Sequence, residues 1–173
     1  LVAFMRILDR LNRDLTIELV EQRAVALLIA QECLPYLRKG IRNREDLQRA
    51  VDIVREKLPH FQVALTDRTQ VLAASGCDLS VTPLPIAARE AMAQRETVVM
   101  EVSKGHRSAM LSAPLVTDEQ VIGALLLIAP TGPNLVLDAD VKTLESLAQF
   151  FSVMLELGET EHQIALRKQA EFR

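Results

Sequence analysis

A long run of helix-forming residues stands at each end of the chain, and these two runs limit how everything between them can fold. Apolar and charged residues alternate at helical spacing over residues 4–37, with no Pro or Gly before Pro35. A second helix is predicted over residues 138–173, with Asp138 as its N-cap and Gly158 as its only interruption. The sequence therefore predicts a domain that lies between two long helices.

Both helices carry a stripe of apolar residues at steps of three and four, which is the a/d spacing of a coiled-coil seam. The first stripe consists of Leu1, Phe4, Leu8, Leu11 and Leu15, and it continues after a four-residue stutter through Leu19 and Ala26. The second stripe, whose later positions are weakly polar, consists of Leu144, Ala148, Phe151, Leu155, Gly158, His162, Ala165, Gln169 and Phe172.

The two stripes have two interpretations. Either they join two copies of the chain in a homodimer, or each helix lies with its stripe against its own domain. In the dimer, the predicted contact and signalling positions are Leu8, Leu11, Leu15, Leu144, Phe151, Leu155 and His162. We expect His162 to be a packed or partly protonated interface histidine and not a metal ligand.

The middle of the chain changes to strand signals. The segment "NREDLQRAVDIVREKLP" predicts a helix capped by Asn43, with Asp46 at its third position. The segments "FQVALTDRTQVLAASG" and "SAMLSAPLVTDEQVIGALLLIA" each predict a hairpin, while "PIAAREAMAQRE" predicts a short helix and "TVVMEV" a strand between them. This order indicates an α+β fold, in which an antiparallel sheet is flanked by helices.

Composition and motifs argue against several function classes. A formal charge of −3 offers no basic stripe for a nucleic-acid backbone, so we expect no nucleic-acid partner. Cys33 and Cys77 lack C-x-x-C spacing and are expected to be free thiols in a reducing compartment. The longest apolar run, residues 121–129, is far shorter than the roughly 20 residues of a membrane span. No phosphate loop, H-E-x-x-H or nucleophile elbow occurs, so we expect neither catalytic residues nor a metal site.

Four segments, in the order in which they occur, carry a resemblance to a known family. They are "IAQECLPYLRKGI", "VALTDRTQVLAASG", "APLVTDEQVIGALLLIAP" and "LAQFFSVMLELGETEHQ". Together they resemble the GAF domain of LytS/YehU-type bacterial sensor histidine kinases, and the resemblance runs from about Ala26 to the end of the chain. The closing "AEFR" is similar to the start of the segment that joins this domain to the kinase.

The resemblance implies a division of the chain and a set of partners. Residues 1–40 would form an N-terminal signalling or linker helix, residues 41–140 the GAF core, and residues 141–173 a helix leading into a kinase region. The first residue is Leu1, and the last helix has no C-cap signal, so we expect a piece of a longer polypeptide. It would be the cytoplasmic portion of a bacterial membrane protein, whose kinase region uses ATP and Mg and acts on a response regulator.

The resemblance also limits what the histidines and cysteines of this chain do. In the family the phosphorylated histidine lies in an Asn-Pro-His-Phe motif, and none of His60, His106 and His162 lies in such a motif. Family members often carry a cysteine-bearing insertion where this chain has only "SKGHRSAM". We therefore expect no phosphoacceptor in this chain and no metal or redox sensing at that position.

The same loop is the candidate ligand site. Lys104, His106, Arg107 and Ser108 lie in "SKGHRS", at a position where loops of GAF domains cover the ligand cleft. Arg gives bidentate hydrogen bonds and Lys a point charge, so the loop is suited to a small anion such as a carboxylate, with His106 adding pH sensitivity. The alternative is a solvated turn whose charges keep the loop in water.

Three functions follow as hypotheses. The first is a non-catalytic sensor and relay domain, which passes a conformational signal through a dimeric helix to a histidine kinase and binds an unidentified small molecule. The second is a structural dimerisation spacer without a ligand, whose apolar strands fill the pocket. The third is a thiol enzyme, which would require an unusually reactive Cys77. A cavity lined by polar groups favours the sensor, and a dry, filled core favours the spacer.

Overall fold

The computed structural model describes residues 2–79, 81–102, 108–129 and 138–171, with side chains described at residue 6 and from residue 20 onward except at residue 102. The helices are α1 (Val2–Leu37), α2 (Arg44–Lys57), α3 (Ile86–Gln94) and α4 (Asp138–Glu171), with a 3-10 turn at Gly40–Arg42. The strands are β1 (Gln62–Thr66), β2 (Val71–Ser75), β3 (Val98–Val102), β4 (Ser108–Thr117) and β5 (Gln120–Ala129). The two long helices and both hairpins are confirmed.

Two local signals in the sequence are visible in the structure, and the first of them, the Asn43 cap, confirms a prediction. The side-chain Oδ1 of Asn43 accepts a hydrogen bond from the backbone N–H of Asp46 at 3.2 Å, which caps α2. The carboxylate of Asp67 accepts from the backbone N–H groups of Thr69 and Gln70, both at 2.8 Å, and so fixes the turn between β1 and β2. These contacts involve residues two or three positions apart, which is why sequence reasoning finds them.

The five strands form one antiparallel sheet in the order β2-β1-β5-β4-β3. The central strand is β5, where Leu127 pairs with Val63 of β1 and with Leu111 of β4. Because side chains alternate along a strand, odd-numbered residues of these three strands point to one face and even-numbered residues to the other. The sheet therefore presents two faces, one with the odd-numbered and one with the even-numbered residues, and each face packs against different helices.

Three helices, α1, α2 and α4, cover the face with the odd-numbered residues and enclose the main core. The largest fully buried side chains of this core are Leu37, Leu47, Leu65, Leu111, Leu115, Leu125, Leu127, Leu144, Leu147, Phe151 and Leu155. Burial of one such side chain stabilises a fold by about 1.5–3 kcal/mol, so most of the apolar stabilisation lies on this side of the sheet.

Helices α1 and α4 run in the same direction. Gly158 of α4 lies against the backbone of Arg38 and Gly40, where α1 ends, and the contacts between α1 and α4 involve the part of α4 that precedes this residue, since the part beyond it is largely exposed. A side chain at position 158 would meet the Arg38 carbonyl oxygen, since a Cβ there would be 2.5 Å away. The residues of α4 from 163 to 171 are exposed, so α4 continues past the end of α1.

The predicted dimer stripe on α4 needs a correction. Leu144 and Phe151 are 0% exposed and Leu155 is 1% exposed, all three within the core beneath the helix, so they are not available to a second copy. The interpretation failed because the stripe that packs a helix on its own domain has the same three-and-four spacing as a coiled-coil seam. Leu8, Leu11 and Leu15 lie on α1, where their side chains are outside the described part of the structure.

Candidate functional site

The face of the sheet opposite the three-helix core is covered by α3, and we call it the α3 face. Ala88 of α3 packs there on Ala64 of β1 and on Ala124 and Leu126 of β5. Half-buried side chains surround this contact, namely Ala74, Leu79, Met92 and Met110. Methyl groups meeting methyl groups let the helix lie close to the strands, which makes this a thin and apolar layer.

Two hydroxyl groups interrupt the apolar layer. Thr66 lies on the same face of β1 as Ala64, and Ser112 lies on the same face of β4 as Met110, where it pairs with Leu126. Thr66 is 1% exposed and Ser112 is 0% exposed, and neither hydroxyl oxygen has a hydrogen-bond partner among the described residues. A buried polar group without a partner costs about 1–3 kcal/mol, so these two side chains do not serve stability.

Ser152 shows how a buried serine is normally accommodated in this chain. Its Oγ donates to the carbonyl oxygen of Ala148 at 2.6 Å and accepts from the backbone N–H of Val116 at 3.1 Å. It thereby joins α4 to β4 on the core side of the sheet. The buried hydroxyl of Ser152 thus has two hydrogen-bond partners, whereas the buried hydroxyls of Thr66 and Ser112 have none among the described residues. This difference makes the α3 face the candidate site.

The candidate site is closed by α3. Ala87, Ala88 and Ala91 of this helix are all buried, at 2% exposure or less. The two hydroxyls are likewise out of reach of solvent. A ligand that used the Ser112 hydroxyl would therefore have to displace α3, which packs on β4 and β5, while the strands beneath stay paired.

The predicted loop site is only partly within the described structure. Lys104, His106 and Arg107 lie outside the described residues. Ser108 begins β4, is half-buried, and lies on the same face of the strand as Met110 and Ser112, which places it at one edge of the α3 face. Sequence reasoning missed Thr66 and Ser112, although a hydroxyl at an inward position of an apolar strand is the signal that identifies them.

Neither thiol has the environment of a nucleophile. Burial, with a smaller contribution from Glu32, raises the pKa of Cys33 to about 12, and its Sγ donates to the carbonyl oxygen of Ala50 at 3.5 Å. Partial burial also raises the pKa of Cys77, which outweighs the opposing charge of Arg55. The thiolate is the reactive form, so both cysteines are poorly reactive at neutral pH.

The sequence predictions also concerned metal sites and membrane-spanning helices. Among the described residues, no three His, Cys, Asp or Glu side chains come together in a way that could hold a metal ion. His162 is half-exposed on α4 and lines a cleft with Arg38, Arg42 and Glu161. Within the described ranges, no helix combines the length and the apolar character that crossing a bilayer requires.

The outer faces of α1 and α4 carry apolar side chains that nothing in the described chain covers. On α4 these are Val153, Leu157 and Ile164, which are 48–56% exposed. Their spacing of four and seven places them on one stripe of the helix, on the side away from the core. On α1 the exposed apolar residues are Val20, Val25, Leu27 and Leu28. We call the α4 stripe together with Val20, Leu27 and Leu28 the outer stripe.

The family model and the curated relatives that match this chain agree with each other. A model of the GAF domain matches residues 6–155. The sensor protein LytS of Enterococcus faecalis is 26% identical over 160 residues, which cover 85% of this chain and 27% of that protein. The sensor histidine kinase/phosphatase LytS of Staphylococcus aureus is 26% identical over 179 residues, which cover 96% of this chain and 30% of that protein.

Solved structures agree with the fold. The nlh2 GAF domain of A. aeolicus, in an inactive state, superposes with a TM-score of 0.61 at 10% identity, covering 79% of this chain and 98% of that one. The free methionine-R-sulfoxide reductase of Neisseria meningitidis, in complex with its substrate, superposes with a TM-score of 0.62 at 17% identity, covering 80% and 93%. At these identities the likeness establishes the fold alone.

Proposed function

Because this chain belongs to the GAF domain family, we propose that it is the sensor and relay domain of a two-component sensor histidine kinase. The LytS relatives support this role, since the similarity covers most of this chain. The chain spans 27–30% of the length of these relatives. The kinase activity, its ATP and Mg, the response regulator, and a position on the cytoplasmic side of a membrane therefore belong to the proposal. The division at residues 40 and 140 stays a prediction.

The relay is supported by the contact at Gly158. The chain segment that follows α1 packs backbone to backbone against α4 at this residue, and Arg42 forms an ion pair with Glu159 at 3.0 Å one position further on. A displacement of α1 cannot be absorbed by side chains at such a contact, so it is passed on to α4. Since α4 continues past the end of α1, the movement reaches whatever follows α4.

The dimer in this proposal uses the outer stripe instead of the stripe predicted from the sequence. Two copies that pair through Val153, Leu157 and Ile164 bury side chains that water otherwise surrounds, while the core residues of α4 remain in their own domain. A bistable pair of helices can change register or crossing angle, and a signal acts by favouring one arrangement over the other.

The first test is the oligomeric state of the chain by sedimentation equilibrium. Leu157→Asp should raise the dimer dissociation constant by at least about tenfold, because it buries a charge in each copy. Leu166→Asp is the matched control, since Leu166 is 51% exposed and lies nine residues further on, on the opposite side of α4. Equal association of both variants would place the dimer contact elsewhere.

The second test uses the longer kinase to which we assign this domain. Leu157→Asp should change autophosphorylation from ATP, whereas Leu166→Asp should leave it close to that of the native protein. A kinase whose autophosphorylation is the same in both variants would contradict the relay, whether or not the isolated domain dimerises.

The alternative is a structural dimerisation spacer that binds no ligand, and the closed α3 face favours it. A layer of Ala against Ala has no room for a molecule unless α3 moves. The sensor requires that the hydroxyls of Thr66 and Ser112 contribute to the response of the kinase to its stimulus. If the double variant Thr66→Val, Ser112→Ala responds like the native kinase, the domain is a spacer. Loss of the response with a normal basal activity supports the sensor.

A further inference from the structure

A cleft of about 480 Å³ lies beside α3, and three arginines line it. They come from separate parts of the chain: Arg68 from the turn between β1 and β2, and Arg89 and Arg95 from the middle and the end of α3. Met92, Ala93, Gln120 and Val121 complete the lining. Since Gln120 and Val121 begin β5, the cleft is at the end of the sheet opposite the Ser108 edge.

The backbone holds two of the three arginines in place. The turn that carries Arg68 is closed by a hydrogen bond from the N–H of Asp67 to the carbonyl oxygen of Gln70 at 3.0 Å, in addition to the two bonds that the Asp67 carboxylate accepts. Arg95 ends α3 in the left-handed conformation, with φ 56° and ψ 34°, which residues other than Gly and Asn rarely adopt. The backbone of Arg68 therefore belongs to a hydrogen-bonded turn, and the backbone of Arg95 to the end of α3.

The positive charge of the cleft is not balanced by the described residues. No carboxylate lines the cleft, and Arg68, Arg89 and Arg95 form no ion pair with another described side chain. Burial by itself raises the pKa of Asp67, but the hydrogen bonds from Thr69 and Gln70 lower it overall, which shows that this carboxylate is bound to the turn.

Other carboxylates near the cleft are directed elsewhere or lie on its outside. Asp118 shares a hydrogen bond with Glu156 of α4, on the core side of the sheet. Glu90, Glu96 and Glu119 are exposed sequence neighbours of lining residues and do not line the cleft themselves. Three exposed arginines therefore line one cleft in a chain that has more acidic than basic residues, 23 against 20.

We propose that this cleft binds a small organic polyanion, a di- or tricarboxylate or a phosphate ester. Guanidinium groups bind carboxylate and phosphate oxygens in a bidentate manner, and three of them match an anion with two or more charges. Met92, Ala93 and Val121 offer apolar contact to a short carbon skeleton. This cleft adjoins the α3 face, with which it shares Met92, and the proposal does not depend on the sensor role.

The bound anion would also hold α3 in place. Arg89 and Arg95 belong to α3, whereas Arg68 belongs to the sheet side of the cleft, so an anion that contacts all three joins the helix to the β1–β2 turn. Because α3 is the cover of the α3 face, occupancy of the cleft stabilises the closed arrangement. The anion thus opposes any ligand that must displace α3.

Isothermal titration calorimetry of the folded chain with citrate, and separately with inorganic phosphate, tests the binding. Sodium chloride at matched ionic strength serves as the control for screening. Saturable binding of either probe is expected, and Arg89→Gln and Arg68→Gln should each weaken it by about tenfold, the loss expected for a charge-assisted hydrogen bond. Arg6→Gln, at an exposed residue near the start of α1, should leave the affinity unchanged.

Hydrogen exchange supplies the second measurement. Saturating citrate or phosphate, whichever binds, should slow amide exchange in residues 86–94 of the native chain and have no such effect in Arg89→Gln. The proposal is overturned if neither probe binds above the sodium chloride control, or if Arg6→Gln weakens binding as much as the two cleft variants do.

Discussion

Removal of a buried hydroxyl should stabilise this protein at one serine and destabilise it at another. Ser112→Ala removes an oxygen that has no hydrogen-bond partner among the described residues, whereas Ser152→Ala removes one that has two. Both serines are buried, at 0% and 5% exposure, and both substitutions delete the same atom. The pair therefore differs chiefly in hydrogen bonding, and the higher helix propensity of Ala at position 152 of α4 works against the predicted loss.

The expected magnitudes follow from the local contacts. Desolvation of an unpaired hydroxyl costs about 1–3 kcal/mol, and its removal forfeits some van der Waals contact, so Ser112→Ala should raise the free energy of unfolding by about 1 kcal/mol. Thr66→Val keeps the shape of the side chain and should give a similar gain. Ser152→Ala leaves the N–H of Val116 without a partner and should lower stability by about 1–3 kcal/mol.

The gains at Thr66 and Ser112 should add. The strand β5 lies between their two strands, so the side chains are separated by at least two strand spacings, about 10 Å, and share no partner. The free energies of unfolding are measured by urea unfolding followed by far-UV circular dichroism, because the chain has no Trp for fluorescence. A gain of 1 kcal/mol corresponds to about 2–4 °C in Tm for a domain of this size.

Equal destabilisation of the chain by Ser112→Ala and Ser152→Ala would contradict this prediction. That result would mean that the hydroxyl of Ser112 has a partner in the native protein. The predicted result, by contrast, identifies two side chains that reduce stability, a pattern that is common where a site is kept for function.

Three further predictions concern α4 and the thiols. Gly158→Ala should lower Tm by about 4–8 °C, because a Cβ 2.5 Å from the Arg38 carbonyl oxygen costs more than the roughly 1 kcal/mol that Ala contributes to helix propensity; a higher Tm would contradict the close packing. Cys33 should react with a thiol reagent only after unfolding, leaving at most one reactive thiol in the native chain by absorbance, and two rapid equivalents would disprove its burial. The hydrogen bond with Asp118 raises the pKa of Glu156, so the protonated Glu156 stabilises the fold below the ordinary pKa of 4.5, and this stabilisation is lost as the pH rises through the raised pKa. Glu156→Gln should therefore raise Tm at pH 7 and not at pH 4. Equal shifts of Tm at both pH values would count against the interaction of Glu156 with Asp118.

The sequence determined the elements of this fold and their ends. The cap at Asn43 and the turn at Asp67 act over a few residues, and local backbone preferences and side-chain hydrogen bonds decide them. The two hairpins and the long helices are likewise set by local apolar periodicity, and the α+β class follows from their order. The resemblance of four segments to GAF domains agrees with the family that the comparisons give.

Only the tertiary structure decided which surfaces those elements use. The stripe through Phe151 faces the core and the stripe through Leu157 faces outward, and the two look alike in sequence because core packing and helix pairing have the same period. Thr66 and Ser112 share a face, and Arg68 and Arg89 line one cleft, because strand pairing and the position of α3 bring distant residues together. Such contacts depend on non-local pairing, and a single sequence carries no local signal for them.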